Sequence, residues 1–245
     1  MRSLIPLLFA LTALVASPLR AEDNPPAPRS DKDPLESVNR AIFEFNNDLD
    51  TYLLRPVARG YHFVMPDFAE QGVGNFFSNL YDANAAINAL LQGRVGSAAR
   101  VSGRFLVNST LGVLGFFDVA TRTGLTPYNT DFGHTLAIWG VPEGPYLMVP
   151  LLGPRTMRSG TGSVVDVYAS PQSYIDNVRL RNSLYGLEII DSRARLLDAE
   201  DLISGDRYIF VRDAYLQQRE VLVNDGKVQD NFSDFGEDGL WEEEF

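Results

Sequence analysis

The chain has 245 residues, 45% of them hydrophobic, and its 32 acidic residues exceed its 21 basic residues to give a net charge of -11. This composition predicts one folded domain of ~200–250 residues and excludes a wholly disordered chain. The absence of cysteine excludes disulfides, thiolate metal sites, cysteine nucleophiles and an acylated amino-terminal cysteine. The negative net charge argues against a nucleic-acid partner.

The amino terminus has the features of an export signal. A basic start at Arg2 precedes an apolar run from Leu4 to Ala16, and Pro18 breaks that run shortly before the small residue Ala21. The run is shorter than the ~20 residues that a membrane-spanning helix needs. We therefore predict a signal peptide over residues 1–21, in preference to a membrane anchor.

Three further regions follow the signal. Residues 22–32 contain three prolines and no periodic apolar pattern, which predicts a flexible tether. Residues 226–245 are rich in acidic side chains, which predicts a disordered, solvated tail. Residues 33–225 show no internal repeat and no linker, so we predict that they form one helical domain.

The first predicted helix begins near Asp33 and ends at Arg55–Pro56. Asp33 and Pro34 suit the cap and the first helical position, and the proline at the far end disfavours a helical residue before it. Asn39 and Asn46 lie at the border of the apolar face and need hydrogen-bond partners if they are buried. That face recurs at helical spacing and consists of Leu35, Val38, Ile42, Phe45, Leu49 and Tyr52.

The next two helices are predicted over residues 67–92 and 94–109. The first has Gly93 as its stop and carries Asn84 in the middle of an otherwise apolar face. The second carries a row of polar residues at intervals of four, which are Arg100, Arg104 and Asn108. That row is either a solvated face or part of a binding surface.

Residues 121–154 are rich in proline and glycine, which excludes a long helix and an interior strand there. Short helices, turns and a hairpin with the apolar tip Tyr146–Val149 are predicted instead. Helical spacing returns over residues 182–198 and 206–223. The predicted fold class is therefore all-α, with amphipathic helices and a Pro/Gly-rich middle segment.

The sequence contains no enzyme motif that we recognise. It lacks the Gly-x-Ser-x-Gly turn of α/β-hydrolases, the phosphate loop and the dinucleotide fingerprint. We interpret His62 and His134 as hydrogen-bonded structural residues in preference to metal ligands. No catalytic residue, metal or cofactor is predicted, and an unrecognised hydrolase is the alternative that the abundant carboxylates leave open.

Polar residues accompany several apolar helical faces, and nearly all the basic residues are arginines. Arginine binds phosphate bidentately and tolerates partial desolvation better than lysine. A phospholipid headgroup is one ligand that would use both properties. The polar residues concerned are Asn39, Asn46, Asn84, Arg104 and Asn108.

Seven segments of the chain resemble, in the same order, segments of the MlaA (VacJ) family of bacterial outer-membrane proteins. The resemblance spans residues 33–224, and seven segments in order are far more specific than any one of them. The segments are DPLESVNRAIFEFN (33–46), LLRPVARGY (53–61), NFFSNL (75–80), LLQGR (90–94), RFLVNSTLGVLGFFDVA (104–120), FGHTLAIWGVPEGPYLMVPLLGP (132–154) and YIFVRDAYLQQR (208–219).

The resemblance implies an all-helical flat ring around a central polar channel, lodged in the periplasmic leaflet of the outer membrane. Members of the family remove phospholipid that has strayed into the outer leaflet, usually beside trimeric porins, and pass it to a soluble periplasmic lipid carrier. This is transport without bond breaking. Phospholipid, a trimeric outer-membrane porin and the periplasmic carrier are therefore the implied partners.

Two sets of candidate residues follow from the resemblance and the helical pattern together. The channel and headgroup candidates are Asn39, Asn46, Asn84, Arg100, Arg104 and Asn108. The membrane-belt candidates are Leu111, Leu114, Phe116, Phe117, Tyr146, Leu147 and Met148, for which core packing is the alternative. Asp118 is predicted to cap a helix in preference to lining the channel.

One departure from the family concerns attachment to the membrane. Family members commonly carry a lipobox cysteine at the end of the signal, whereas this sequence has Ala21 in that region. Retention at the outer membrane is then expected to depend on the ring itself, on a porin, or on both. The alternative function is that of a soluble periplasmic lipid-binding or scaffold protein with the same fold.

Overall fold

The structure is a computed structural model that describes residues 33–202 and 205–226. The predicted signal peptide, the tether and nearly all of the predicted acidic tail lie outside these residues. Within them, helices account for most of the chain and a two-stranded hairpin forms the sheet. The predicted all-α fold class is confirmed, whereas the arrangement of the helices as a ring stays a prediction.

The helices of the described residues are α1 (Glu36–Leu49), α2 (Arg55–Val64), α3 (Asp67–Leu91), α4 (Val95–Thr110), α5 (Val119–Arg122), α6 (Phe132–Ile138), α7 (Met157–Ala169), α8 (Val178–Ala194) and α9 (Arg207–Val223). A π-helical turn over Asp50–Leu54 joins α1 to α2, and two 3₁₀ turns cover Pro171–Tyr174 and Asp198–Leu202. The antiparallel hairpin consists of β1 (Tyr146–Val149) and β2 (Gly153–Thr156).

Helix α3 packs along α4, α2 packs along α8, and α6 packs against α7. The hairpin contacts α1 through β1 and contacts α7 and α9 through β2. Two small apolar clusters are buried among these elements. One consists of Ala85, Ala86 and Val101, and the other of Tyr146, Met148 and Tyr208.

The first helix differs from its prediction at both ends. Helix α1 begins at Glu36, and the buried Asp33 carboxylate accepts hydrogen bonds from Asn39 (2.8 Å) and Tyr208 (2.5 Å) instead of capping it. At the other end the backbone continues through the π-helical turn, and Pro56 lies in the first turn of α2. Proline is tolerated there because the π-helical turn, in which the Arg55 N–H bonds to the Asp50 carbonyl oxygen, changes the hydrogen-bond register immediately before a residue that has no N–H to donate.

The predicted second and third helices are confirmed as α3 and α4. Gly93 follows α3 with a φ of 73°, a left-handed conformation that favours glycine and ends the helix. Two glycines within α3 also have a packing role. A Cβ at Gly72 would overlap the ring of Phe116, and a Cβ at Gly74 would overlap the guanidinium of Arg195.

Helix α7 is absent from the prediction because its two glycines and several β-branched residues weaken the helical pattern. It forms because Thr156 and Ser159 make a capping box at its start. Gly162 then lets α7 approach Gly133 of α6, since a Cβ at Gly162 would lie 2.4 Å from the Gly133 nitrogen. The predicted later helices correspond to α8 and α9, although α8 begins and ends about one turn earlier than predicted. The predicted hairpin is confirmed as β1 and β2, but Tyr146–Val149, predicted as its tip, forms the strand β1.

Apolar and polar side chains are distributed in an unusual way in the described part of the chain. Most of the buried apolar residues are alanines, whereas buried polar and charged residues are numerous. Large apolar side chains are exposed instead, among them Phe63 (90%), Tyr52 (82%) and Val64 (78%). Exposed apolar surface of this extent indicates contact with another molecule or with lipid.

Among the residues that the structure describes, we find no helix with the length and apolar character needed to cross a membrane.

Two asparagines of α1 hold the hairpin in place. Asn39 donates to the Tyr146 carbonyl oxygen at 3.1 Å and accepts from the Met148 N–H at 2.9 Å. Asn46, two turns later, makes the corresponding pair of bonds to the hairpin tip at 3.0 and 2.8 Å. Because the backbone groups of a strand edge need partners, these two amides take the place of a third strand.

We expect Asn39→Leu to lower the free energy of unfolding by ~2–4 kcal/mol, because two backbone groups of β1 and the Asp33 carboxylate lose a partner in a buried site. Thermal unfolding in detergent, followed by circular dichroism, measures the change. Asn47→Leu is the control, since Asn47 lies on the same helix and its side chain makes no hydrogen bond to a described residue. Equal stability of Asn39→Leu and the wild type would contradict this role.

Candidate functional site

A polar cavity of about 660 Å³ opens among α3, α7, α8, α9, β2 and residues 128–131. Its volume lies within the range of ligand pockets, roughly 300–1,000 Å³. Charged, hydroxyl, amide and aromatic side chains on its wall include Phe77, Ser78, Tyr81, Asp82, Asp131, Arg155, Ser159, Ser163, Asp191, Ser192, Arg195, Tyr215, Gln218 and Arg219.

Several polar groups on the cavity wall bind one another. Arg195 Nε lies 3.0 Å from an oxygen of Asp191, and the two terminal nitrogens of Arg219 contact the two carboxylate oxygens of Asp131. The Ser159 and Tyr215 hydroxyls are 2.6 Å apart. The wall therefore carries several polar pairs among apolar side chains, and these pairs can bind water or a polar ligand.

Asp82 links the cavity wall to a buried network behind it. Its carboxylate accepts a hydrogen bond from Arg104 Nε at 2.8 Å, and both side chains are almost completely buried. Burial raises the pKa of Asp82 to about 6, and the charge of Arg104 opposes that rise. Arg104 also donates to Thr121 at 2.6 Å and to Asp118 at 2.9 Å, so one guanidinium connects α3, α4 and α5.

Asp118 caps α5, as predicted, by accepting the Thr121 N–H at 3.1 Å. Burial alone would raise the pKa of Asp118, but hydrogen bonds from Thr121, Arg104 and Asn108 hold it at about 2. A carboxyl group whose pKa is depressed in the folded state stabilises the protein above its unfolded pKa of ~4. That contribution is lost as the pH falls towards 2.

None of the six channel candidates is among the described residues that line the cavity. Asn39 and Asn46 bind the hairpin instead. Arg104 and Asn108 bind Asp118. Asn84 donates to Asp166 at 2.8 Å, and Arg100 is exposed on α4. Helical spacing cannot distinguish a polar residue that faces a channel from one that ties two elements together. Passage of headgroups along these residues stays a prediction.

The belt candidates divide into three groups. Leu111, Leu114 and Phe117 are exposed, and Phe116 and Leu147 are half-buried. Tyr146 and Met148 are buried and pack with Tyr208, which corrects their assignment to a lipid-facing belt. They occupy alternate positions of β1, and alternate residues of a strand share one face. Lipid contact of the exposed residues stays a prediction.

Most cavity residues were missed by the sequence analysis, although part of the wall has a periodic signal. On α3 and α9 the lining residues recur at helical spacing, and they include Ser78, Asp82, Ala85, Tyr215, Gln218 and Arg219. Arg155 has no such signal. It reaches the cavity on β2, whose position depends on contacts with α7 and α9 that are distant in sequence.

The interpretation of the histidines as hydrogen-bonded residues is confirmed. His62 Nδ1 lies 2.8 Å from a carboxylate oxygen of Glu70, and His134 Nδ1 lies 3.0 Å from the Thr130 hydroxyl. Over residues 33–202 and 205–226, no group of three His, Cys, Asp or Glu side chains is placed to hold a metal ion.

We expect Arg104→Leu to lower the free energy of unfolding by ~3–5 kcal/mol, because it leaves the buried Asp82 carboxylate without its partner. Arg100→Leu, one turn earlier on α4, is the matched control and should change it by less than ~0.5 kcal/mol. Thermal unfolding near neutral pH measures both. The loss in Arg104→Leu should shrink at about pH 5, where a carboxyl with a raised pKa takes up its proton. Similar losses in both variants would contradict the assignment.

Comparisons with known proteins agree on one family. A family model described as MlaA lipoprotein matches residues 31–222. The chain is 36% identical over 203 residues to the intermembrane phospholipid transport system lipoprotein MlaA of Escherichia coli, which covers 80% of each chain. It is 32% identical over 243 residues to the protein of the same description from Haemophilus influenzae, covering 96% of this chain and 97% of the relative.

A solved structure shows the same fold. It comes from work on the structural basis for maintenance of bacterial outer membrane lipid asymmetry, and it matches with a TM-score of 0.70 and 38% sequence identity. The match covers 80% of this chain and 100% of that one. With the family model spanning most of the chain and relatives aligned over most of its length, this protein belongs to the MlaA family.

Proposed function

We propose that this protein is the outer-membrane component of a phospholipid transport pathway that maintains lipid asymmetry. It removes phospholipid from the outer leaflet, admits the headgroup to the polar cavity and hands the lipid to a soluble periplasmic carrier. The transfer breaks no bond and needs no catalytic group. Support comes from relatives described as intermembrane phospholipid transport system lipoproteins.

One observation carries the proposal, namely that a polar cavity occurs in a protein with many exposed large apolar side chains. A phospholipid has the same division, with a charged head and apolar tails. The head can exchange its water for hydroxyl, amide and charged groups of the cavity wall, while the tails stay among apolar side chains or lipid. Neither a dry apolar pocket nor a fully polar surface would serve both parts of the molecule.

The exposed apolar residues also support a place in the periplasmic leaflet. Phe63 and Val64 end α2, and Phe68 begins α3, so three large apolar side chains are exposed at one turn. Amphipathic helices bind membranes in this way without spanning them. A helix satisfies its own backbone hydrogen bonds at that depth. A trimeric outer-membrane porin and a soluble lipid carrier complete the proposed partners, on the basis of the family resemblance.

Obstructing the cavity tests the function. Ser192 and Ser183 are both exposed on α8, and of the two Ser192 lines the cavity. We expect Ser192→Trp to raise outer-leaflet phospholipid above the wild-type level, because the indole occupies part of the cavity space that the headgroup would use. Ser183→Trp should keep the wild-type level. Labelling of intact cells with an amine-reactive reagent that does not cross the outer membrane measures surface phosphatidylethanolamine.

The controls for this experiment are abundance and location. Immunoblots must show both tryptophan variants at the wild-type level in the membrane fraction. Normal clearance by Ser192→Trp, or an equal defect in both variants, would contradict transport through the cavity. Release of the wild-type protein from membranes by high salt, without detergent, would favour the soluble periplasmic alternative.

A further inference from the structure

We propose that Arg155 binds the phosphate of the lipid headgroup inside the cavity. This inference rests on the proposed function and names the group that the cavity recognises, a singly charged phosphate diester. It assigns that recognition to β2 of the hairpin rather than to the arginine row of α4.

The charges on the cavity wall carry the argument. Three lining carboxylates are each bound to an arginine, as Asp82 is to Arg104, Asp131 to Arg219, and Asp191 to Arg195. Arg155 differs from the other lining arginines, because no carboxylate of the described residues lies within 4.0 Å of its guanidinium. After these pairs cancel, one positive charge is left on this wall, which matches the single negative charge of a phosphate diester.

The hydrogen-bonding capacity of Arg155 is also largely unused. Its Nη1 donates to the Pro154 carbonyl oxygen at 2.7 Å, and no other hydrogen bond of its side chain to a described residue is found. A guanidinium has five N–H donors in a planar fork. The remaining donors suit the bidentate geometry in which arginine binds phosphate oxygens.

The backbone under Arg155 is well fixed. Arg155 pairs with Leu147 across the hairpin, and the next residue, Thr156, is buried and caps α7. Fixed flanking residues reduce the conformational entropy lost when a side chain binds a ligand. The position therefore favours a binding role over that of a freely moving surface arginine.

Two neighbouring groups are already paired within the protein, which leaves Arg155 as the candidate for the anion. Tyr81 donates its hydroxyl proton to Glu188, which also accepts from Gln172 at 3.1 Å, so this carboxylate is engaged elsewhere. Arg219 lines the same cavity, is 6% exposed, and has an Nε without a partner among the described residues. That Nε is shielded from the cavity, and the two terminal nitrogens of Arg219 bind Asp131, so an anion in the cavity contacts Arg155 in preference to Arg219.

Lipid binding by the purified full chain tests the assignment. The protein is kept in an alkyl maltoside, which contains no phosphate, and titrated with palmitoyl-oleoyl phosphatidylglycerol or with palmitoyl-oleoyl glycerol, which has the same tails and no phosphate. Native mass spectrometry measures the bound fraction. Inorganic phosphate in large excess is added as a competitor, to distinguish a headgroup site from a site for free phosphate.

We expect Arg155→Gln to weaken phosphatidylglycerol binding by about tenfold or more, as for the loss of a charge-assisted hydrogen bond. Binding of the phosphate-free lipid should not change. Arg155→Lys keeps the charge but lacks the planar fork, so it should recover only part of the affinity. Arg100→Gln, on an exposed arginine away from the cavity, should bind as the wild type does. An unchanged thermal midpoint shows that each variant is folded.

Three results would overturn the assignment: wild-type affinity of Arg155→Gln for phosphatidylglycerol, an equal loss of both lipids, or full competition by inorganic phosphate. Failure of the wild-type protein to bind either lipid would instead reject the proposed function, and this inference with it. The two failures are therefore distinguishable in one set of titrations.

Discussion

Buried amides, carboxylates and guanidinium groups must find hydrogen-bond partners inside the protein, and this requirement organises the packing of the helices. Asn39 and Asn46 bind the edge of the hairpin. Arg104 connects α3, α4 and α5, and Asp33 connects the start of α1 to Tyr208 of α9. In most soluble domains large apolar side chains provide this contact between elements. Here many of those side chains are exposed, and most buried contacts depend on polar hydrogen bonds and ion pairs together with alanine and glycine, beside a small cluster of Tyr146, Met148 and Tyr208.

The same arrangement explains how a polar cavity can persist among amphipathic helices. Ion pairs and hydroxyl contacts provide partners for several polar groups on its wall, and a cavity of about 660 Å³ remains beside them. In the transport that we propose, a headgroup would replace water at these groups, and Arg155 would add a positive charge that water does not provide. Transport in this form depends on exchange of hydration, with no chemical step.

Local sequence signals predicted the elements that depend on local chemistry. Gly93 ends α3 because it adopts a left-handed conformation, and Asp118 caps α5 through its own turn. Predictions failed where distant residues decide the outcome. Asp33 was predicted to cap α1, but its carboxylate accepts a hydrogen bond from Tyr208 instead. Pro56 was predicted to end the first helix, but it is accommodated because a π-helical turn precedes α2. Tyr146 was a candidate for the lipid-facing belt, with core packing as the alternative. Pairing of β1 with β2 places its side chain in the core.

The candidate site shows the same division. Asn39 and Arg104 were recognised as unusual because they are polar residues beside apolar helical faces. Their partners, which determine their role, lie in the hairpin and in α3 and α5 and cannot be read from periodicity. The cavity wall is assembled from five elements and one loop, so most of its residues become neighbours through tertiary packing alone.

Single-cysteine labelling tests most directly whether the apolar side chains face lipid and the cavity faces water. Because the sequence contains no cysteine, each single-cysteine variant carries one spin label. Two variants place the label in the cavity, Ser192→Cys and Ser163→Cys, and two place it on the exposed apolar surface, Phe63→Cys and Leu114→Cys. Electron paramagnetic resonance in outer-membrane vesicles compares collisions with oxygen, which partitions into lipid, and with a water-soluble nickel chelate. We predict nickel access at the two serine positions and oxygen access at the other two. Equal nickel access at all four positions would contradict a lipid-seated protein with a hydrated cavity.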